Sequence, residues 1–316
     1  MIPRVMEPLR QLGTRNGRLY TPVKSASEIP AFREKESFGD MDILYTTSDG
    51  VPLTVDWVKQ TYNPNEIIKN GTVISFDFEE LQIDLIHSAI GSFDYGLSYF
   101  SWNDAGNLIG KLAHQFGLKH GHEGLFLPLR DGNNQFETIT LTLDHDYTLS
   151  FLGLDADRFN SGFDNLEDMF NWVAASPYYS PDWYKLENLN SVAKIRDRKR
   201  ETYNKFLAFG ERWEGPRHPK IKDKTVHLER IFSEFRNSKL SFDLAMERLC
   251  LQQAAKVKFN GQMVSDITGL VAKDLGIFMK FIKESDEFSP QLLVYLEPAS
   301  ITDRIKKLYS DYLELN

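Results

Sequence analysis

Asp40 and Asp42 stand one residue apart in the stretch Glu36-Ser37-Phe38-Gly39-Asp40-Met41-Asp42-Ile43-Leu44. In an extended chain residues i and i+2 point to the same face, so a strand here sets the two carboxylates side by side. Carboxylates that close repel each other unless a proton or a cation lies between them. A hard divalent ion with oxygen ligands meets that need, and Mg²⁺ commonly takes one or two carboxylates plus phosphate oxygens. Gly39 lets the backbone turn tightly, or lets a ligand approach closely, just before the pair. A third acid, Asp84, sits inside the apolar run Leu81-Gln82-Ile83-Asp84-Leu85-Ile86. A carboxylate centred in such a strand is costly unless it is paired or bound to metal. If the two strands are neighbours, three carboxylates converge. That suits two metal ions about 3.5–4 Å apart, clamping the attacking and leaving oxygens of a phosphoryl transfer. The plain alternative for an Asp-x-Asp pair is a solvated strand edge with two surface aspartates.

The elements that must position these residues can be read around them. Asp40 to Thr47 reads as a strand that enters a core through Ile43, Leu44 and Tyr45. Pro3 to Leu12 reads as a short helix, Arg18 to Lys24 as a strand, and Ser25 to Glu36 as a polar loop. Ser48-Asp49-Gly50 is a turn, and Leu53 to Gln60 a short helix. Asn70-Gly71 is a hairpin dipeptide ahead of strands at Thr72–Phe78 and Leu81–His87. Phe136 to Asp144 alternates and reads as a strand. Asp164-Asn165-Leu166-Glu167 reads as a capping box opening an amphipathic Met169–Ala175, after which Pro177 and Pro181 break the chain. Helices are predicted at Thr225–Asn237, Ser241–Val257, Gln262–Ser285 and Ser300–Leu315.

Composition bounds the function classes. With 316 residues, 41% of them hydrophobic, and a mean hydropathy of -0.39, the chain suits a soluble globular protein of two or three domains. No run approaches the roughly 18 apolar residues of a membrane span. No apolar stretch follows Met1-Ile2-Pro3-Arg4, so a secretion signal is not expected and a cytoplasmic location is. Cys250, the lone cysteine, excludes an internal disulfide and a cysteine-based zinc site, and reads as a buried thiol. A net charge of -8 argues against a nucleic-acid binder unless positive charge is localised. It is localised in Lys194–Lys224, where eleven basic residues, among them Arg198, Lys199, Arg200 and Lys205, face five acidic ones. Tyr203, Phe206, Phe209 and Trp213 are interleaved. Such a strip can hold phosphates and stack bases; the alternative is an amphipathic helix whose aromatics are core. His120-x-His122 lacks a third metal ligand in reach, and Asp144-His145-Asp146 reads as a turn after a strand. There is no Ser-His-Asp ordering, P-loop or dinucleotide fingerprint.

The block Phe32-Arg33-Glu34-Lys35-Glu36-Ser37-Phe38-Gly39-Asp40-Met41-Asp42-Ile43-Leu44, followed by Ile83-Asp84-Leu85, resembles the catalytic signature of the DNA polymerase β nucleotidyltransferase superfamily. It is most similar to the family X DNA polymerases. Tyr95-Gly96-Leu97-Ser98-Tyr99-Phe100-Ser101, then Asn103 to His122 and Gly121 to Phe126, continue the likeness in order, over about residues 20–180. The resemblance implies an α+β protein: an α/β palm over 1–90, a thumb-like subdomain over 91–182 and a helical C-terminal domain over 183–316. It implies that Asp40, Asp42 and Asp84 hold two Mg²⁺ ions, with Mn²⁺ as a substitute, and that Asp84 lies nearest the attacking 3′-hydroxyl. It makes Arg33 a triphosphate contact, Ser37 and Gly39 a phosphate-side loop, and Tyr99 and Phe100 the platform for a deoxyribose. Asn107 becomes a minor-groove contact and Lys111 a template-side cation. The sequence departs from the pattern in places. Ile29-Pro30 stands where the family has Gly-Ser or Gly-Gly, so Lys24-Ser25-Ala26 is the nearer match and Ser25 takes the phosphate role. Trp102 replaces a usual glycine. Nothing before residue 20 resembles the family's N-terminal lyase domain, so lyase activity is not implied. The expected reaction transfers a nucleoside monophosphate from a (d)NTP to a nucleic-acid 3′-hydroxyl, DNA before RNA, and releases pyrophosphate. Alternatives are a template-independent or RNA- or tRNA-directed terminal transferase, a protein-modifying nucleotidyltransferase, and a non-catalytic nucleic-acid-binding protein. The complete acidic triad argues against the last. Phe259-Asn260-Gly261, Thr268-Gly269-Leu270 and Leu275-Gly276-Ile277-Phe278 loosely resemble the tail domain of CCA-adding tRNA nucleotidyltransferases, and read more simply as glycines at close helix contacts.

Overall fold

The computed structural model describes residues 2–10, 13–15, 18–20, 23–219 and 221–315. The chain opens with helix α1 (Ile2–Arg10), the short hairpin β1 (Gly13–Arg15) and β2 (Arg18–Tyr20), and then β3 (Val23–Glu28). After a loop come β4 (Asp40–Thr47), α2 (Val55–Tyr62), β5 (Ile67–Asn70), β6 (Val73–Phe78) and β7 (Leu81–His87). Strands β3 to β7 form one sheet in the order β3-β4-β7-β6-β5. The β4–β7 pair is parallel and the other three are antiparallel. The predicted spans of β4 and β7 match residue for residue. The segment expected as a polar loop from Ser25 is strand as far as Glu28, because it pairs along β4. The expected end of the first helix, at Leu12, lies outside the described residues.

The side-chain alternation of β4 and β7 sorts the sheet into two faces. Ile43, Tyr45, Ile83 and Leu85 join Ile74 and Phe76 of β6 in a core closed by Val5, Met6 and Leu9 of α1 and by Val58 and Tyr62 of α2. Tyr62 donates to Val5 O at 2.8 Å, and Tyr45 Oη accepts from Leu53 N at 3.0 Å. Each large apolar side chain buried there contributes about 1.5–3 kcal/mol. That set fixes which way β4 and β7 face, and so sends Asp40, Asp42 and Asp84 to the other side. The register of β7 is fixed by its hairpin with β6. The two-residue turn Glu79-Glu80 has φ of 51° and 67°, the positive pair that a twisted two-residue hairpin demands.

The carboxylate face is covered farther along β4 by α3 (Phe93–Phe100). A Cβ on Gly96 would stand 3.3 Å from both Leu44 Cδ2 and His122 O, so glycine permits this approach. Then come α4 (Ala105–Gln115) and a second, antiparallel sheet of β8 (Lys119–Gly121), β9 (Gly124–Asp131) and β10 (Asn134–Thr142), in the order β10-β9-β8. Helices α5 (His145–Phe151), α6 (Ala156–Ser161), α7 (Leu166–Ala174), α8 (Ser191–Arg198), α9 (Glu201–Glu211) and α10 (Leu228–Glu234) follow. The cap of α7 is Asn165, which accepts from Asp168 N at 3.1 Å, one residue later than the predicted capping box.

The chain divides into two compact units, Met1–Ser238 and Lys239–Asn316, rather than at residue 183. Tyr184 and Phe206 meet at 4.8 Å, and Phe206 meets Phe170 at 4.9 Å, so the segment after 183 completes the core of the first unit. The second unit is helical: α11 (Ser238–Lys258) begins at the boundary, and α12 (Gly261–Thr268), α13 (Ala272–Lys283), α14 (Pro290–Leu293) and α15 (Pro298–Leu315) follow. Its core gathers Phe259, Val264, Phe278, Ile282, Ile301 and Ile305. The single helix expected over Gln262–Ser285 is split by Gly269, which ends α12 at φ +72°. Gly261 and Gly276 are not at close contacts, since a Cβ on either meets nothing within 4 Å. Cys250 is exposed, not buried. Among the described residues no helix is long and apolar enough to cross a membrane. The fold class is α+β, as expected.

Candidate metal centre

Parallel pairing sets Asp42 directly opposite Asp84, and Asp40 opposite Gln82. One carboxylate oxygen from each aspartate lies within 4.8 Å of the other two. Asp40 is exposed, and Asp42 and Asp84 are half-buried. Gln82 Nε2 donates to Asp84 Oδ1 at 2.9 Å, which orients that carboxylate toward its neighbours. None of the three makes an ion pair among the described residues. Burial first, and then the charges of Asp40 and Asp84, push the Asp42 carboxyl up to about 6, with Lys35 pulling the other way. Three clustered oxygen donors with no ion-paired cation among the described residues fit a hard divalent ion.

The loop before β4 joins this edge to α3. Ile29 N donates to Asp42 O at 2.9 Å, and Trp102 N donates to Pro30 O at 3.0 Å. The C-terminal end of α3, with Tyr99 and Phe100, is thereby tied to the carboxylate end of β4. The two rings meet edge-on at 5.2 Å; Tyr99 also lies 5.0 Å from His120, and Phe100 stacks on His122 at 5.6 Å. Trp102, at the expected glycine position, has a left-handed φ of 60°. Its indole packs on Phe163 at 5.7 Å and lies so close over Gly162 that a Cβ there would meet it at 2.6 Å. Those contacts hold a backbone conformation that tryptophan seldom adopts.

Several expected contacts are placed differently. Arg33 Nε donates to Asp164 Oδ1 at 2.5 Å, while its terminal nitrogens donate to Ser161 O at 2.7 Å and Gly162 O at 3.4 Å. Its guanidinium is therefore turned to the α6–α7 junction and not to the carboxylates' open side. Ser37 and Gly39 are exposed in the loop that leads into Asp40. Ser25 shares the carboxylates' sheet face but pairs with Thr46, four residues beyond Asp42 and so roughly 13 Å along the strand. Because β3 runs antiparallel to β4, Ser27, opposite Leu44, lies nearer the carboxylates.

Lys111, expected on the template side, is an internal ion-pair partner. It donates to Asp197 Oδ2 at 2.6 Å, and Asp197 is fully buried. Arg196 Nε reaches the same carboxylate at 2.7 Å and its Nη2 donates to Asn107 Oδ1 at 2.9 Å; Arg200 pairs with Asp104. Burial works against the Asp197 charge, but the hydrogen bonds from Arg196 and Lys111 outweigh it and hold the carboxyl below its ordinary range. This network ties α4 to α8 and α9. Arg198 and Lys199 are exposed and make no ion pair among the described residues, whereas Lys205 pairs with Glu201 at 2.7 Å. Tyr203 and Phe206 are buried in the core, so the interleaved aromatics read as possible base-stackers are largely structural.

His120 and His145 are buried with ring centroids 5.6 Å apart. His120 Nδ1 lies 3.1 Å from Gly106 O; its Nε2 and both nitrogens of His145 have no hydrogen-bond partner among the described residues. Burial drives them down to about 3 and about 4, so both rings are neutral at physiological pH. His145 opens α5, capped by Asp144, where a turn was expected. Sequence reasoning counted Arg196 only within the basic strip, as a possible phosphate contact and not an internal partner, and gave no role to Lys35. Lys35 lies 4.6 Å over the Phe38 ring, and its charge acts on Asp42. For Lys35 the signal was its place within the Asp-x-Asp block. Compared with known proteins, the chain matches no family model and no curated sequence.

Proposed function

We propose that this protein is a metal-dependent nucleotidyltransferase that transfers a nucleoside monophosphate from a (d)NTP to a nucleic-acid 3′-hydroxyl. The observation that carries this reading is the meeting of Asp40, Asp42 and Asp84 on two parallel strands with no ion pair to any of them among the described residues. The tie between the Asp42 edge and the Tyr99–Phe100 end of α3 supports it, since a sugar seated there would lie beside the carboxylates. Two Mg²⁺ ions held by the three aspartates would lower the pKa of the attacking hydroxyl and neutralise the leaving group. Asp84 is suited to accept the proton of the 3′-hydroxyl as its oxygen bonds the α-phosphorus and the bond to the bridging oxygen breaks, releasing pyrophosphate. The exposed backbone of Ser37 to Gly39 can offer N–H groups to the phosphates.

The purified protein is tested with Mg²⁺ and each labelled dNTP and NTP, in parallel on primer–template DNA, single-stranded DNA and tRNA. Extension is expected, and Asp42→Ala or Asp84→Ala should lower it by at least about a thousandfold while the protein stays folded. Full activity in either variant would sink the assignment. Template-independent addition is a second reading, favoured because Lys111 at the template-side position is internal. Addition that ignores the template base would select it; extension only by the complementary nucleotide would select the templated enzyme.

A further inference from the structure

The loop between β3 and β4 carries two cations, Arg33 and Lys35, which face different fates. Arg33 is consumed: one carboxylate and two carbonyls take its guanidinium, and its backbone N–H donates to Phe163 O at 3.2 Å. The next residue repeats the pattern, with Glu34 N bonded to Asp164 O at 3.0 Å and the Glu34 carboxylate accepting from Asn165 Nδ2 at 2.8 Å. Three of the five N–H donors of Arg33 are committed at that junction, so turning its guanidinium toward a phosphate beside the aspartates would break those bonds. Lys35 is two residues closer to Asp40. It is exposed, makes no ion pair among the described residues, and rests over the half-exposed ring of Phe38.

We infer that Lys35, steadied by Phe38, is the side chain that contacts the phosphate tail of the nucleotide, and that Arg33 is a structural clasp holding the loop to the α6–α7 junction. The inference rests on the nucleotidyl-transfer reading. Its chemistry is simple. A nucleotide bound through metal ions at the aspartates carries its remaining negative charge on the outer phosphates. Lys35 is the cation in the loop whose charged group makes no hydrogen bond or ion pair among the described residues, and its charge already bears on Asp42. A lysine meets such a tail as a mobile point charge, where a clasped arginine cannot follow it. Ser37 and Gly39, between Lys35 and Asp40, leave exposed backbone on the same approach.

The test is calorimetric titration of the full chain with the four dNTPs and the four matching dNMPs, with Ca²⁺ replacing Mg²⁺ to prevent turnover. Lys35→Met should weaken triphosphate binding about tenfold and monophosphate binding less than about twofold, with an unchanged melting temperature. Lys35→Arg should restore triphosphate binding to within about threefold of wild type. Arg33→Met should lower the melting temperature and leave the triphosphate-to-monophosphate ratio within about threefold. The inference is overturned if Lys35→Met keeps the wild-type ratio and merely tightens the divalent ion. It is equally overturned if Arg33→Met alone collapses the ratio. If wild-type protein binds none of the nucleotides, the nucleotidyl-transfer reading itself falls and takes this inference with it; binding with an unchanged ratio in Lys35→Met sinks the inference alone.

Discussion

Asp42 is held where its charge is disfavoured. Its carboxyl titrates near 6 in the folded chain, against 3.8 for a free side chain, because of burial and then of Asp40 and Asp84. Above pH 6 the folded metal-free protein keeps an ionised group that the unfolded chain ionises more readily, so this group destabilises the fold there. The penalty is relieved as pH falls through 6 and is gone near 4, where both states are protonated. Asp42→Asn should therefore stabilise the metal-free protein by about 1–2 kcal/mol at pH 7.5, after allowance for solvent screening, and change little at pH 4. Urea unfolding at the two pH values measures it. Millimolar Mg²⁺ at pH 7.5 should stabilise wild type and not the variant; equal stabilisation of both would show that the ion binds elsewhere. His120 and His145 slope the other way, losing stability as pH falls below about 6.5, so the comparison must be between variants and not between pH values alone. The three aspartates were legible in the sequence because a strand's alternation and an apolar context are local signals. The fates of Arg33 and Lys111 were not, because their acidic partners, Asp164 and Asp197, lie 131 and 86 residues away. Asp197 had looked like one acid diluting a basic strip.

The hairpin that delivers Asp84 carries its own strain. Glu79 and Glu80 both take positive φ, and neither is glycine or asparagine. Glu80→Gly should remove that strain at a smaller entropic cost and stabilise the fold by about 0.5–1 kcal/mol, leaving the Arg4–Glu79 pair intact. Thermal unfolding checks this; a drop in melting temperature would mean that Glu80 makes a contact worth more than its backbone costs. A one-residue slip of β7 against β4 would turn Asp84 to the core face, since strand faces alternate, and the burial of Ile83 and Leu85 opposes it. The strands β4 and β7 were readable from end to end, with apolar runs bounded by turn signals. The strand β3 was not, because Lys24-Ser25-Ala26-Ser27-Glu28 has no apolar period and is extended only by pairing with β4. Likewise Gly269 was seen as a packing glycine, whereas its backbone conformation ends one helix and lets the next begin.

The whole chain is two units with separate cores, a division hidden in the sequence because Tyr203 and Phe206 resembled a binding strip and not the floor of the first unit. Phe278 is fully buried in the second core, and Phe278→Ala should destabilise Lys239–Asn316 by about 3–5 kcal/mol. Hydrogen exchange should then rise in that unit, while the divalent-ion affinity of the aspartates stays at its wild-type value. A changed affinity would reveal coupling between the units. Within the first unit, Asp42 and Asp84 are direct neighbours in space but 42 positions apart in sequence. The β6–β7 hairpin can close quickly, whereas the parallel β4–β7 pair must first close a long loop and forms late. The three aspartates are thus a product of nearly complete folding. A divalent ion has nothing to nucleate in the unfolded chain and acts as a latch on the finished structure, slowing escape from the native state while leaving the rate of reaching it almost untouched.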